Sequence, residues 1–246
     1  MVTGGGKRLG RAIALALAES GYAVAIHYND SADDAAATAA DVAAFGVTSV
    51  TLQADLSDEA AVRGLVPAAT AALGPIGVLV NNASTFERDE WDDATRDSWD
   101  RHIEPNLRAP FVLMQDFARA LPADAEGLVV NMLDERVWSL TPHFVSYTVS
   151  KMGLWGLTQS MALALAPRIR VNGIGPGPAL PNSRQTQAQF ERQARSVPLQ
   201  RGPELSEIGR AVLAMLELRS MTGQMIALDG GQHLQWGPNA GVQVEE

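Results

Sequence analysis

Short apolar runs alternate with longer helical segments along most of the chain, and this alternation limits the folds open to it. The runs have the apolar composition of buried parallel strands and lie at residues 2–3, 22–28, 47–53, 78–80, 128–132, 169–174 and 225–228. The segments between them carry apolar residues at helical spacing and lie at residues 8–20, 31–45, 58–73, 95–121, 145–166 and 205–218. Strand–helix alternation of this kind predicts an α/β fold, a doubly wound parallel sheet with helices on both faces.

Two segments depart from the regular pattern. The helix predicted over residues 95–121 contains Pro105 and Pro110, and we expect a boundary or a kink near one of them because proline interrupts helical hydrogen bonding. Residues 181–198 are polar, rich in Gln and Arg, and lack strong periodicity, so no element is assigned there.

The length and composition indicate one domain over residues 1–246, since no linker or internal repeat divides the chain. The net charge is −9 and no basic stripe is visible, which argues against a nucleic-acid or acidic-membrane partner. The chain has no cysteine, and its four histidines lack metal-ligand spacing, so no metal site is predicted. The start of the chain does not resemble a secretory signal, and we expect a cytoplasmic protein.

A glycine-rich turn, Thr3-Gly-Gly-Gly-Lys-Arg-Leu-Gly10, lies where the first strand passes into the first helix. Glycines let the backbone approach a pyrophosphate, and the N-terminus of a helix supplies N–H groups and the positive end of its dipole. The turn does not match Gly-x-Gly-x-x-Gly, because Leu9 stands where the last glycine would be. At the start of a doubly wound, Rossmann-type sheet, the turn nevertheless indicates a dinucleotide site.

Tyr147 and Lys151 lie four residues apart in a predicted helix and therefore share one face. A free phenol has a pKa of about 10, and a neighbouring ammonium favours the phenolate and lowers that pKa. A Tyr–Lys pair is therefore suited to proton transfer in the reduction of a carbonyl or an imine. Asp134 precedes Tyr147 by thirteen residues and is a third candidate for the same site.

The order and spacing of these residues resemble the classical short-chain dehydrogenase/reductase family. Residues 81–83 (Asn-Asn-Ala), 175–177 (Gly-Pro-Gly) and 228–231 (Leu-Asp-Gly-Gly) extend the likeness over nearly the whole chain. The resemblance implies that Tyr147 donates a proton, that Lys151 also holds the nicotinamide ribose, and that Asn106 holds a proton-relay water. It further implies cofactor contacts by Gly4, Lys7, Arg8, Leu9, Asp55, Leu56, Asn82, Ala83, Ser84, Lys151, Pro176 and Gly177.

Three departures from the family pattern resemble its pteridine reductase branch. Asp134 stands where classical members carry Ser, Arg8 where they carry Gly, and Ser84 where Gly is usual. That likeness implies a substrate site formed by Arg8, Phe86, Asp134 and Tyr147, with Phe86 stacked on a pterin ring. Residues 87–101 and 179–198 match the branch poorly, and in the family these residues line the substrate side.

The end of the second predicted strand bears on the choice of cofactor. NAD-specific enzymes place an acid there to bind the ribose hydroxyls, but this chain carries Tyr28. Lys7 and Arg8 supply positive charge for a 2′-phosphate, whereas Asp30 opposes it. Further donors are expected from His27, Asn29 and Ser31. These residues favour NADP(H).

The leading hypothesis from the sequence is an NADPH-dependent reductase of a small molecule, most like a pteridine reductase acting on a dihydropterin or dihydrofolate. The alternatives are a ketone or 3-oxoacyl reductase of the same family and a non-catalytic sensor of NADP(H). The helices around Asn106 and Tyr147 have long apolar faces, and in this family such faces pack between subunits. The resemblance therefore implies a homo-oligomer, usually a tetramer, with Gly230, Gly231 and the tail to Glu246 also near a subunit contact.

Overall fold

The computed structural model describes residues 1–182 and 184–235, and its strands form a parallel sheet. The named strands are β1 (Val24–Tyr28), β2 (Ser49–Gln53), β3 (Val78–Asn81), β4 (Gly127–Met132), β5 (Ile169–Pro176) and β6 (Met225–Leu228). β1 pairs with β2, and β3, β4, β5 and β6 pair in that order, all in parallel. Val2 forms single bridges to Ile26 and Val80, so it joins the two groups of strands into one sheet.

Helices cover both faces of this sheet. They are α1 (Arg8–Glu19), α2 (Ala32–Ala43), α3 (Glu59–Leu73), α4 (Arg96–Ile103), α5 (Ala109–Ala120), α6 (Val145–Leu165), α7 (Gln187–Ser196) and α8 (Leu205–Glu217). One apolar cluster packs α1, α2 and α8 on the sheet, and a second packs α3, α5 and α6 on the opposite face. No helix in the part of the chain described is long and apolar enough to cross a membrane. The doubly wound α/β fold predicted from the sequence is confirmed.

The predicted helix over 95–121 is interrupted, as its prolines indicated. α4 and α5 are separated by a π-helical turn, Glu104–Arg108, which has Pro105 near its start. Pro105 has no backbone N–H to donate to the preceding turn, and the wider turn accommodates the missing hydrogen bond. This turn places Asn106 inside the protein, where it is 1% exposed.

α7 lies inside the segment to which the sequence assigned no element. None of its residues is buried, so its sequence carries no apolar stripe that periodicity could detect. Its start is instead stabilised by a capping box: the side chain of Thr186 accepts from the backbone of Gln189 at 3.3 Å, and Gln189 Oε1 accepts from the backbone of Thr186 at 2.7 Å. Residues 236–246, which were expected near a subunit contact, lie outside the described residues.

The carboxyl ends of the strands meet at one edge of the sheet, and buried polar side chains order that edge. Asn81 at the end of β3 donates to Asn131 Oδ1 at 2.8 Å, and Asn131 donates to Thr158 Oγ1 at 2.9 Å. These bonds connect β3 to β4 and β4 to α6. The helix that carries Tyr147 and Lys151 is thereby fixed to the two central strands.

Candidate active site

A groove of about 730 Å³ opens beside the glycine-rich turn. Gly4 lies in the left-handed region with φ of +59°, and a Cβ on Gly10 would lie 2.1 Å from the carbonyl oxygen of Gly4. The turn therefore admits no side chain at Gly10. The groove is lined by residues predicted to hold a cofactor: Gly4, Lys7, Arg8, Leu9, His27, Tyr28, Asn29, Ser31, Asp55, Leu56, Asn82, Ala83 and Ser84.

Two side chains hold the glycine turn in place. Asn82 Nδ2 donates to the carbonyl of Thr3 at 2.8 Å, and the Gly4 amide donates to His27 Nδ1 at 3.1 Å. His27 Nε2 lies 3.1 Å from the carbonyl of Ala54, which can only accept, so Nε2 carries the proton. Burial lowers the pKa of His27, and the ring is neutral. The expected contribution of His27 as a phosphate donor is corrected: both ring nitrogens bind the backbone, and the residue shapes the turn.

The polar end of the groove contains a lysine and a serine in direct contact. Lys7 Nζ donates to Ser31 Oγ at 2.7 Å, and Ser31 Oγ lies 3.2 Å from Asp30 Oδ1. Lys7 also lies 3.9 Å from Asp34. One exposed cation and one hydroxyl thus face the groove at the end of β1, with Tyr28 in place of an acid. This donor set fits a phosphate better than a ribose diol.

At the opposite wall, Asp55 is held as a carboxylate. Its Oδ1 accepts from the amide and the hydroxyl of Ser57, both at 2.8 Å. These hydrogen bonds lower the pKa of Asp55. A fixed acceptor beside the apolar Leu56 is suited to an amino group on a flat base.

Arg8 connects this groove to a second, smaller cavity of about 270 Å³. Its φ is +54°, an unusual value for a residue with a side chain, and its guanidinium donates to the carbonyl of Pro181 at 2.9 Å. Arg8, Leu9, Asn82 and Ser84 line both spaces. A long ligand laid on the glycine turn would therefore reach from one space into the other.

The second cavity brings together the residues predicted to carry the chemistry. Tyr147 donates from its hydroxyl to Asp134 Oδ2 at 2.7 Å, while Asp134 Oδ1 accepts from the backbone of Arg136 at 2.9 Å. The cavity is lined by Arg8, Phe86, Asp134, Tyr147, Lys151, Pro176 and Gly177 among others. The offset of thirteen residues between Asp134 and Tyr147 thus corresponds to a direct hydrogen bond.

The expected effect of Lys151 on Tyr147 is corrected by this geometry. Burial and the charge of Asp134 raise the pKa of Tyr147 well above 10, because both disfavour a phenolate. Lys151 Nζ donates to the carbonyl of Met132 at 2.8 Å and lies 5.7 Å from the centre of the Tyr147 ring. Burial lowers the pKa of Lys151 to about 8. In this arrangement the phenol is held protonated, and Lys151 is mostly charged at neutral pH but loses its proton as the pH rises through about 8.

Phe86 reaches the cavity, as expected, and its ring is held by other aromatic side chains. It stacks on Phe144 with a centroid distance of 4.6 Å and an interplanar angle of 10°, and its centroid lies 4.6 Å from that of Tyr147, edge to face. The guanidinium groups of Arg136 and Arg184 lie 5.3 and 5.1 Å from its centre. Stacking of a substrate ring on Phe86 stays a prediction.

Asn106 lies behind the cavity and is not in contact with it. Its Oδ1 accepts from the amide of Thr85 at 2.8 Å, and its Nδ2 lies 2.9 Å from the carbonyl of Thr85 and 3.1 Å from Ser150 Oγ. The side chain thus connects the segment after β3 to α6. Its expected part in holding a relay water stays a prediction, because protein groups already engage its amide.

Three residues that pack around the Phe86 ring were not predicted from the sequence: Arg136, Phe144 and Arg184. Phe144 is completely buried and has φ of +58°, a conformation that apolar residues rarely adopt and that no local pattern indicates. Arg184 donates to the carbonyl of Phe86 at 3.1 Å from nearly a hundred residues away. Only the position of Phe144, three residues before Tyr147, offered a signal.

Known proteins resemble this chain over nearly its full length. A sequence model of a family described as enoyl-(acyl carrier protein) reductase matches residues 6–233. The structure of FolM alternative dihydrofolate reductase 1 from Brucella suis in complex with NADP superposes with a TM-score of 0.94 at 52% identity, over 97% of this chain and 96% of that one. Pteridine reductase 1 from Leishmania tarentolae is 34% identical, over 95% of this chain and 96% of its own length. The 3-oxoacyl-(acyl-carrier-protein) reductase FabG from Staphylococcus aureus strain Mu50 is 31% identical, over 95% of this chain and 97% of its own.

Proposed function

This chain belongs to the short-chain dehydrogenase/reductase family, and from that premise we propose that it is an NADPH-dependent reductase of a pterin-type ring, a dihydropterin or a dihydrofolate. The observation that carries the proposal is the hydrogen bond of 2.7 Å between Tyr147 and Asp134, in a cavity that Phe86 also lines. The FolM structure named above, with NADP bound, supports both the cofactor and the class of substrate.

The glycine turn and the two connected spaces fit a dinucleotide. Gly4 and Gly10 allow the tight turn at the N-terminus of α1, where backbone N–H groups suit a pyrophosphate, and Lys7 with Ser31 suits the 2′-phosphate of NADP(H). Asp55 and Leu56 would hold the adenine, while Lys151, Pro176 and Gly177 would hold the nicotinamide half. When bound, NADPH supplies the hydride that reduces the C=N bond.

Tyr147 supplies the proton that the ring nitrogen needs. Because its pKa is raised, the phenol is fully protonated at neutral pH and can act only as a donor. Asp134 orients this hydroxyl, and its acceptor oxygens suit the N–H groups on the amino-pyrimidine edge of a pterin. A serine at this position has one neutral oxygen and could not replace the two charged acceptor oxygens of a carboxylate.

The proposal is tested by following NADPH absorbance with dihydrobiopterin, dihydrofolate, simple ketones and a 3-oxoacyl thioester. We expect turnover with the two pterin compounds and little with the others. Asp134→Ser is the matched variant, and it should lower pterin turnover while raising ketone turnover. Turnover of ketones or the thioester alone would reject the proposal in favour of a carbonyl reductase, and tight NADPH binding without any turnover would favour a sensor.

We further propose that the protein assembles as a cytoplasmic homotetramer. Val149, Met152 and Leu163 of α6 are exposed apolar side chains in the single chain, at 41, 39 and 84% of their full accessibility. A second subunit packed on α6 would cover them. Light scattering on the purified protein gives the mass directly, and a monomer at micromolar concentration would reject this assembly.

A further inference from the structure

A buried polar network lies behind Tyr147 and joins three segments: the loop after β3, α4 and the start of α6. Its central members, Asp89, His102 and Ser146, are each no more than 4% exposed. Ser146 donates from its amide to Asp89 Oδ1 at 3.1 Å and from its hydroxyl to Asp89 Oδ2. His102 Nδ1 lies 2.7 Å from Ser146 Oγ. The serine is fully buried and gives its proton to a carboxylate, so the three side chains do not form a nucleophilic triad.

The partners of His102 determine where its proton lies. Nδ1 is 3.0 Å from the carbonyl of Ser98, which can only accept, and the amide of Glu87 donates to Nε2 at 3.0 Å. Nδ1 therefore carries the hydrogen and Nε2 is a bare acceptor. The hydrogen bonds run in one direction, from the Glu87 amide through His102 and Ser146 to the Asp89 carboxylate.

Both ends of this chain adjoin residues of the proposed active site. Glu87 follows Phe86, and Ser146 precedes Tyr147. The His102 ring lies 6.0 Å from the Tyr147 ring, yet His102 lines neither the cofactor groove nor the substrate cavity. The network can therefore act on the reaction only through the position of Phe86 and Tyr147.

We propose that His102 is a positioning residue: by accepting from the Glu87 amide, it holds Phe86 against Tyr147 and so shapes the pocket for a flat ring. The part of this inference that concerns the ring rests on the proposed function. The part that concerns the loop does not, since it follows from the hydrogen bonds alone.

Two amide variants of His102 test the two ring nitrogens one at a time. Asn carries its amide on Cγ and can replace Nδ1, whereas Gln extends one bond further and can replace Nε2 as the acceptor for Glu87. His102→Asn should therefore lose the loop contact and keep the contact with Ser146. His102→Gln should keep the contact with the Glu87 amide. Because this variant also lacks the imidazole ring, it is the matched control for effects of losing the ring itself.

Hydrogen exchange measured by mass spectrometry tests the loop directly, with no substrate. A peptide covering residues 85–90 should exchange at least about tenfold faster in His102→Asn than in the wild type, the effect of one lost buried hydrogen bond. His102→Gln should exchange like the wild type there. Equal acceleration in both variants, or in neither, would overturn the loop contact. If His102→Asn does not fold, His102→Phe keeps a ring and removes the acceptor for the Glu87 amide, and an unchanged peptide in that variant would overturn the contact as well.

Kinetics test the link to Phe86. His102→Asn should raise the KM for a pterin about tenfold and leave the KM for NADPH unchanged, since the loop contacts the proposed ring site. In a Phe86→Leu background, His102→Asn should cause almost no further rise in the KM for the pterin, because His102 acts through the position of Phe86. Additive effects, or equal effects on both KM values, would reject the positioning role. A wild-type enzyme that reduces no pterin contradicts the proposed function instead, and the exchange result then stands by itself.

Discussion

Tyr147 donates its hydroxyl proton to Asp134 over 2.7 Å, and a carboxylate so close opposes ionisation of the phenol. Lys151, one helical turn away, binds the carbonyl of Met132 instead of the phenol oxygen. The phenol whose pKa Lys151 was expected to lower instead has a raised pKa, and the lysine itself has a lowered one. The phenol therefore carries its proton at neutral pH, and the nearby carboxylate works against release of that proton.

Removal of the phenol hydroxyl should abolish turnover without loss of cofactor affinity. Tyr147→Phe keeps the ring that packs on Phe86, so we expect the variant to fold. We expect kcat to fall about 10²- to 10⁴-fold, which is the usual contribution of a positioned general acid to the rate. The measurements are kcat with a pterin and the dissociation constant for NADPH. Wild-type turnover in the variant would assign the proton to another group.

Neutralisation of Asp134 should lower the pKa of Tyr147. Asp134→Asn keeps an acceptor for the phenol but removes the negative charge that disfavours a phenolate. The chain has three tyrosines, so phenolate absorbance is best titrated in a background with Phe at positions 22 and 28. An unchanged midpoint would mean that burial alone sets the pKa of Tyr147.

The pH dependence of stability should report on Lys151. Its pKa falls from 10.5 in the unfolded chain to about 8 in the folded protein, so between these values the unfolded chain holds a proton that the folded protein has released. Stability of the wild type should therefore rise with pH across this window relative to Lys151→Met, by up to about 3 kcal/mol. Urea unfolding of both proteins across the window measures the difference. Parallel pH profiles would mean that Lys151 titrates normally.

Lys7 should determine the preference for a phosphorylated cofactor. Lys7→Ala removes the cation beside Ser31, and we expect a loss of NADPH affinity of about tenfold, typical of one charge-assisted hydrogen bond, with little change for NADH. Arg11→Ala is the control, since Arg11 is an exposed cation of the same helix that binds Asp41. Equal losses for both cofactors would place the 2′-phosphate elsewhere.

The buried strands could be predicted from the sequence, whereas the exposed helix α7 could not. The buried strands are continuous apolar runs, such as those that contain Val80 and Val130, and such runs can be recognised without knowledge of the fold. α7 has no buried residue and depends on a capping box between Thr186 and Gln189, which is a weaker local signal. The first predicted strand is represented by the two bridges of Val2, which depend on neighbours distant in sequence.

In the candidate site, the residues that come together could be predicted better than the surroundings of their side chains. Asp134 and Tyr147 were assigned to one site from their spacing and from the family resemblance, and the structure joins them. The raised pKa of Tyr147 depends on how much protein surrounds it, which spacing does not encode. The hydrogen bond from Glu87 to His102 and the left-handed backbone of Phe144 likewise arise only when distant segments pack together.

The π-helical turn at Glu104–Arg108 also has a consequence for how this helical region can change. The extra residue rotates the helix that follows by about 100° relative to a regular helix. α4 can therefore turn His102 towards α6, while α5 turns Val112 into the core beside α3. Deleting a single residue here would remove that rotation, and α4 and α5 could no longer both face their present neighbours. The number of residues in this turn therefore determines whether α4 can contact α6, which carries Tyr147, while α5 contacts α3.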